Sequence, residues 1–526
     1  MDFVGIVLFV IALYVRPQEF MEVLGSFRPA LSSLALTGVG LFLRETGVSV
    51  KQLIRTPMDW MMTAYFLYML FWSPGAFGDL WGQLYPYIGF YYLVSLTLND
   101  VRRIYMYLAW VCGAIMFIAI MALLSLVGFD PLGSQGTTQA SLDRLTLNTS
   151  LFSNPNALGH SVMVAVPYLY FFMFWQRPIF VKEIGLPLIF LPLLCTFFTQ
   201  SKGAFVSGAG AIIATLAFGR PKWVQFVLLP ILVFVAISSV QLLPRVGEVS
   251  FGGGKARGDE AVLGRILAFE FGKWAFENTQ QYPYGVGYGQ FYAAYVRKSG
   301  ELEAKSAHSS YNRVQAELGW WGLLIFCGIL YTCFHSLIRS RTANDNEERV
   351  RRILFCSILT YAVSGWMIEF AFRAIFFVTV AMISAFHRIL MDRTASYSPQ
   401  TDEANREDWG GIIGITDSKL ADASTGMELP TVTNAQDYLL QRKVVRGAPG
   451  RPRQFLAAQT GVANARQTPQ RPTGYVPPIK DDGSTLGDLV GAGLFMPWPK
   501  FRWYDTIGIY LSLRLALYIR DYAISL

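Results

Sequence analysis

The chain has 526 residues, of which 53% are hydrophobic, 15% aromatic and only 15% charged, a balance too apolar for an ordinary soluble domain and one that makes the bilayer its expected solvent. Its formal charge of +8 lies mostly in short connections between apolar runs, where Lys and Arg orient helices, so it argues against a nucleic-acid partner. The five cysteines, Cys112, Cys195, Cys327, Cys333 and Cys356, all fall within apolar runs without paired spacing, and point to neither a disulfide framework nor a zinc site.

A hydrocarbon core about 30 Å thick is crossed by roughly 17 to 25 apolar residues. Twelve candidate runs are predicted, over 2–15, 26–43, 57–73, 82–98, 104–127, 157–175, 181–199, 203–219, 222–241, 318–338, 353–372 and 374–391. The first starts at Met1 without a basic n-region or a small-residue cleavage site and is read as a retained helix. The expected fold class is an all-α polytopic membrane protein, with a transmembrane domain over 1–391. Alternate connections differ in charge. One set holds Arg44, Lys51, Arg55, Arg102, Arg103, Arg177, Lys182, Arg220 and Lys222, then the cluster from Arg339 to Arg352 and finally Arg388 and Arg393, which places that side in the cytoplasm. The opposite side carries 128–156, a tight turn at Gln200-Ser201-Lys202-Gly203, and one large external loop, 242–317.

Residues 392–500 turn to Pro, Gly, Thr, Asp, Gln and Arg with little periodicity; such a stretch cannot bury enough apolar surface to fold and is expected to be a disordered cytoplasmic tail. The last segment, 501–526, regains aromatic and aliphatic residues but includes Arg514, Arg520 and Asp521, so an amphipathic helix on the inner membrane surface is expected rather than a thirteenth span. No internal repeat is evident.

Two parts of the external loop stand out. Gly264-Arg265 opens a helical pattern through Lys273 and Trp274 that ends in Tyr282-Pro283-Tyr284-Gly285-Val286-Gly287-Tyr288-Gly289-Gln290-Phe291. The glycines permit unusual backbone conformations and close approach of a ligand; they are read either as a structural turn or as a ligand cradle, and not as a dinucleotide fingerprint, since the βαβ context is missing. The second part, Ala307-His308-Ser309-Ser310-Tyr311-Asn312, leads through Glu317-Leu318-Gly319-Trp320-Trp321-Gly322 into the tenth span. His308 alone among the four histidines lies in the long loop. It is either packed and solvated or functional, and its sharing a loop with Arg265 favours function. Lys202, Arg144 and Arg245 are further cations on the external side; singly each is solvated or paired with a carboxylate such as Asp143 or Glu248, but together they suggest a phosphate-binding surface. Glu369 and Arg373, four apart near the outer end of the eleventh run, are expected to pair on one helix face, and with Glu317 they are given structural or secondary roles.

Phe152-Ser153-Asn154-Pro155-Asn156, Gln200-Ser201-Lys202-Gly203, Gly264-Arg265 with Pro283 and Gly285 to Phe291, and His308 through Gly322 together resemble the O-antigen ligase and polymerase superfamily of bacterial envelope glycosyltransferases, which includes protein O-oligosaccharyltransferases. The likeness covers about 1–391. Two departures are Lys202 where the family often has arginine, which loses the bidentate fork, and Ser309 where it often has asparagine. Arg16-Pro17-Gln18-Glu19 also looks like members found near exopolysaccharide and exosortase systems. The resemblance implies a GT-C type helical architecture in the bacterial inner membrane with its active site facing the periplasm. It further implies a glycan donor on undecaprenyl or another polyprenyl diphosphate, and a sugar, lipid A core or protein hydroxyl as acceptor, with no cofactor and no required metal. In that scheme Arg265, helped by Lys202, Arg144 and Arg245, stabilises the departing diphosphate, and His308 is the base of an inverting transfer. A second function class, a transporter or flippase of lipid-linked or acidic solutes, fits twelve spans and external cations; the missing repeat and the single asymmetric loop speak against it. A noncatalytic scaffold for envelope assembly, docking through the tail, is a third.

Overall fold

The computed structural model describes residues 1–44, 53–217, 260–300, 306–397 and 503–525. The ninth expected span, Arg245, Glu248 and the tail from 398 to 500 lie outside these residues. The chain divides into two compact units, Met1–Thr394 with Ser484–Leu526, and Ala395–Gly483; everything below concerns the first.

All regular structure among the described residues is helical. In chain order it comprises α1 (Asp2–Tyr14), α2 (Glu22–Ser26), α3 (Pro29–Phe42), α4 (Pro57–Phe71), α5 (Phe77–Thr97), α6 (Val101–Leu126) and α7 (Ser134–Ala140). There follow α8 (Pro155–Met163), α9 (Ala165–Leu169), α10 (Ile179–Thr199), α11 (Lys202–Ala217), α12 (Glu260–Glu277) and α13 (Phe291–Ser299). The last are α14 (Ser310–Arg339), α15 (Asp345–Ser364), α16 (Ala374–Tyr397) and α17 (Trp503–Ser525). Five stretches are long and apolar enough to cross a membrane, namely Val101–Leu126, Pro155–Phe174, Ile179–Thr199, Ser310–Arg339 and Ala374–Arg393, while Asp2–Tyr14, Pro29–Phe42 and Lys202–Ala217 are shorter apolar helices. Eleven of the twelve expected runs coincide with described helices, but length and composition qualify only the five. The protein is consistent with a polytopic helical membrane protein, and its outer faces agree: Phe42 is 84% exposed and Ile179 72%, which is tolerable where lipid replaces water.

Local chemistry explains the irregularities. The span Pro155–Phe174 breaks at Val164 and ends in a π-helical turn, Tyr170–Phe174; Pro167 lacks the amide that would bond back to Met163. Within α14, Gly319 takes φ 63° and ψ −158°, outside helical geometry, so the helix has an offset first segment, 310–318.

One end of the bundle is fastened by ion pairs. Asp59 on α4 is fully buried, and its carboxylate accepts bonds from Arg388 Nη2 (2.8 Å), Ser384 Oγ (2.7 Å), Tyr91 Oη (2.8 Å) and the Thr56 amide (2.8 Å). A charge at depth is tolerable when every lone pair is used in this way. At the same end Arg103 on α6 donates to Asp2 (2.8 Å), joining α1 to α6.

Helix α17 packs on two other helices. Its first turn meets α14 where Tyr331 Oη donates to Asp505 (2.8 Å) and His335 lies 3.4 Å from the same carboxylate. Its last turn meets α12, where Lys273 lies 3.6 Å from Asp521 and Arg520 sits 5.5 Å over the Phe276 ring. The helix thus touches α14 near its C-terminal end and α12 near its own. Arg520 and Asp521 have charged partners on α12.

Asp59→Ala leaves the Arg388 guanidinium stranded and is expected to cost about 3 to 5 kcal/mol, read as a lower unfolding midpoint in detergent. An Asp59→Leu/Arg388→Met double variant should recover most of the loss.

Candidate active site

The glycine-rich turn docks on the offset start of α14. The Val286 amide donates to Ala316 O (2.9 Å) and the Gly287 amide to Glu317 O (3.0 Å). Gly285 has φ +83°, and a Cβ there would lie 2.4 Å from Glu317 O and 2.7 Å from the Gly319 amide nitrogen. Only glycine fits, because both conformation and contact forbid a side chain. These glycines are therefore occupied with protein backbone, and of the two readings of this segment the geometry supports the structural turn. Glu317, fully buried, completes the dock: its carboxylate accepts from the amides of Gly289 (2.9 Å) and Phe291 (3.2 Å) and from Arg313 Nε (3.0 Å). Arg313 was not singled out from the sequence, although its spacing from Glu317 is that of a helical ion pair.

Arg313 also lies 3.6 Å from Glu369, and Tyr292 Oη donates to the same Glu369 oxygen. The predicted Glu369–Arg373 pair on one helix does not form. Helix α15 stops at Ser364, and 365–373 form turns because the N-terminus of α14 claims their backbone: Ser309 Oγ donates to Gly365 O (3.0 Å), Ser310 Oγ donates to Ile368 O (2.8 Å), and the Phe370 amide donates back to Ser310 Oγ (2.8 Å). Glu369 thus faces the Arg313 side, and Arg373 borders a different cavity.

His308 sits at the entrance to this N-terminus, with φ +52°, a conformation uncommon for a residue with a Cβ. The helix that carries Arg265 is tied to the residue before His308 by Asn312. The Asn312 side-chain amide donates to Ala268 O on α12 (2.8 Å) and to Ala307 O (3.2 Å), and the missing side chain of Gly272 makes room, since a Cβ there would lie 1.8 Å from Asn312 Oδ1. One amide therefore fixes α12 and the residue before His308 together. Burial, then the positive charge of Arg265, push the His308 imidazole down to about 4, with Glu369 opposing. The ring is neutral near pH 7, the form that accepts a proton.

The remaining cations gather nearby to different degrees. Arg144 donates through Nε to Thr199 O at the end of α10 (3.0 Å) and through Nη2 to Asn156 Oδ1 at the start of α8 (2.8 Å), so it joins the two short motifs around it. Lys202 begins α11, partly buried. Its neighbour Gly203 lies against His160, whose Nε2 is 2.9 Å from where a Cβ would stand. The His160 Nδ1 lies 3.0 Å from Ser364 Oγ and 3.0 Å from Ser207 Oγ, and the charge of Arg265 reaches this ring as well as His308. Arg265 and Glu369 thus act in opposite senses on the charge of His308.

Two measurements follow from this geometry. Gly285→Ala is expected to undock the turn and cost at least about 2 kcal/mol, seen as a lower unfolding midpoint, whereas Gly82→Ala, with nothing within 4 Å, should be neutral or slightly stabilising. By 13C-histidine NMR, with His308→Gln for assignment, the His308 titration is expected near 4. Removing one charge that disfavours protonation, as in Arg265→Gln, should move it upward toward the ordinary value.

Residues 187–327 match the sequence model of the family described as O-antigen ligase. The match covers about a quarter of the chain and includes Lys202, Arg265, the glycine-rich turn, His308 and Glu317, but not Arg144, Glu369 or Arg373. No curated protein matches the chain. The similarity to the O-antigen ligase family thus falls on the segment that holds the buried dock, Arg265 and His308.

Proposed function

We propose that the chain transfers a glycan from a polyprenyl diphosphate, such as undecaprenyl diphosphate, to an acceptor hydroxyl during assembly of O-antigen or exopolysaccharide, at a site open to the periplasmic face of the inner membrane. The observation that carries this reading is that Asn312 ties the helix bearing Arg265 to the residue before His308 within the segment that matches O-antigen ligases. Glycan transfer of that general type is what the family match supports; donor, acceptor and residue roles are the proposal.

In the proposed reaction the acceptor O–H gives its proton to His308 as its oxygen bonds to the anomeric carbon. The bond from that carbon to the phosphate oxygen breaks, and the electron pair leaves with the lipid diphosphate. Arg265 stabilises the charge that develops, and fixed positive charge at a leaving group is often the largest catalytic contribution. In-line attack from the opposite face inverts the anomeric centre. Arg144 and Lys202 assist, the first by holding the loop against the end of α10 and the second by adding charge at the tight turn. Arg245 is the fourth cation proposed for the diphosphate. Glu317 and Arg313 serve as supports, Glu317 by holding the Gly289 and Phe291 amides and Arg313 by bridging Glu317 and Glu369.

Purified full-length protein given a lipid-linked glycan and an acceptor should release free polyprenyl diphosphate, which a transporter or flippase would not do. His308→Ala is expected to lower transfer by roughly 10²- to 10⁴-fold while leaving the protein in the membrane. Arg265→Lys, which retains charge without the planar fork, should lower it by at least about tenfold. Normal transfer by both variants would reject the assigned roles.

A further inference from the structure

Helix α14 is broken at Gly319, and its two parts have different neighbours. The first segment, 310–318, is tied to α12 through Asn312, whose side-chain amide donates to Ala268 O. The longer part beyond the break meets α17, where the buried Asp505 accepts from Tyr331 Oη (2.8 Å) and lies 3.4 Å from His335 Nε2. Three residues on, Gly508 is pressed against the same tyrosine: a Cβ there would lie 2.8 Å from Tyr331 Cζ and 2.9 Å from its Oη. Only a residue without a side chain fits so close.

The other end of α17 meets α12. The buried Arg520 lies 5.5 Å over the Phe276 ring and 3.8 Å from Glu277, and Asp521 lies 3.6 Å from Lys273. The Phe276 ring is also 5.8 Å from that of Trp320, the residue just past the break. At 1.5 Å per residue, Asp505 and Arg520 are about 22 Å apart along α17, and Tyr331 and Gly319 about 18 Å apart along α14. Helix α17 is therefore long enough to be fixed on the longer part of α14 and still reach α12 at the level of the break. Leu513 and Ala516, between its two ends, are buried. Lys273 and Asp521 are partly exposed, and such pairs contribute little; the buried Asp505 and Arg520 and the tight contact at Gly508 fix the seat. Residues 398–502 separate α17 from α16 in the chain, so its place is set by what it touches rather than by a short connection.

We propose that α17 is a strap across the break at Gly319, which holds α12, and with it Arg265, in place against the longer part of α14. Asp505, Gly508 and Arg520 are positioning residues that act through α12. This rests on the transfer reading for what Arg265 does, and adds the C-terminal helix to the parts that the site needs. A guanidinium that stabilises a leaving group must be held in place beforehand, and a displacement of about 1 Å at the chemistry can cost about 10²-fold in rate. Fixing α12 at two places, by Asn312 and by α17, supplies that order.

The test is made in the full-length protein, with substitutions in α17 alone. Gly508→Leu forces the helix off the Tyr331 ring. By 13C-histidine NMR, His308 is then expected to titrate above its wild-type value, because the charge of Arg265 moves away from the ring. The kcat for transfer from an undecaprenyl-diphosphate-linked glycan should fall at least about tenfold. Gly508→Leu/Tyr331→Ala, which opens room for the leucine, should recover part of both, and Tyr518→Ala, on the exposed face of α17, should change neither. In an Arg265→Gln background, Gly508→Leu should leave the His308 titration where it was, since the charge it displaces is already gone. A shift of equal size in both backgrounds means general loosening of the fold and overturns the strap. An unmoved titration with full transfer in Gly508→Leu overturns it as well and leaves the transfer reading standing. If Gly508→Leu does not fold, Asp505→Ala is held to the same two readouts. A shift that Arg265→Gln abolishes, in protein whose wild type transfers nothing, upholds the strap and rejects the transfer reading.

Discussion

A carboxylate with no exposure at position 317 is the fixed point of the candidate active site. Burying a charge is unfavourable unless each lone pair is used, and Glu317 meets that condition by gripping two amides of the glycine-rich turn and the guanidinium of Arg313. Because Gly319 breaks the helix just beyond it, the offset first segment of α14 is free to seat the turn on one side and residues 365–370 on another. The dock couples three segments far apart in sequence, around 287, 317 and 369, into one support.

On that support, burial first, and then the guanidinium proposed for the leaving group, disfavour protonation of the proposed base. Glu369 moderates this from the other side, and its own position is set by Arg313 and Tyr292.

Much of this was legible in the sequence, because apolar runs of helical length and short motifs are local signals. The tight turn, the Asn154-Pro155-Asn156 motif and the segments bearing Arg265 and His308 were all singled out, and Arg144 is bonded between two of them. Pairings across the bundle were not legible. Asp59 and Arg388 are 329 residues apart and carry no local signature, so Arg388 was read as a topology charge. The Glu369–Arg373 spacing suggested a helical pair, but hydrogen bonds from Ser309 and Ser310 override the helix there. In α17, Arg520 and Asp521 carry no local sign of their partners on α12, which lie more than two hundred positions earlier.

The most direct test of the central claim is an electron cryo-microscopy structure of the full-length protein with a non-transferable lipid-diphosphate glycan. The account predicts the anomeric carbon of one bound molecule between the His308 ring and the Arg265 guanidinium, with a phosphate oxygen within hydrogen-bond distance of the latter. A donor whose diphosphate lies at the opposite end of the bundle, or whose anomeric carbon is out of reach of His308, would contradict it.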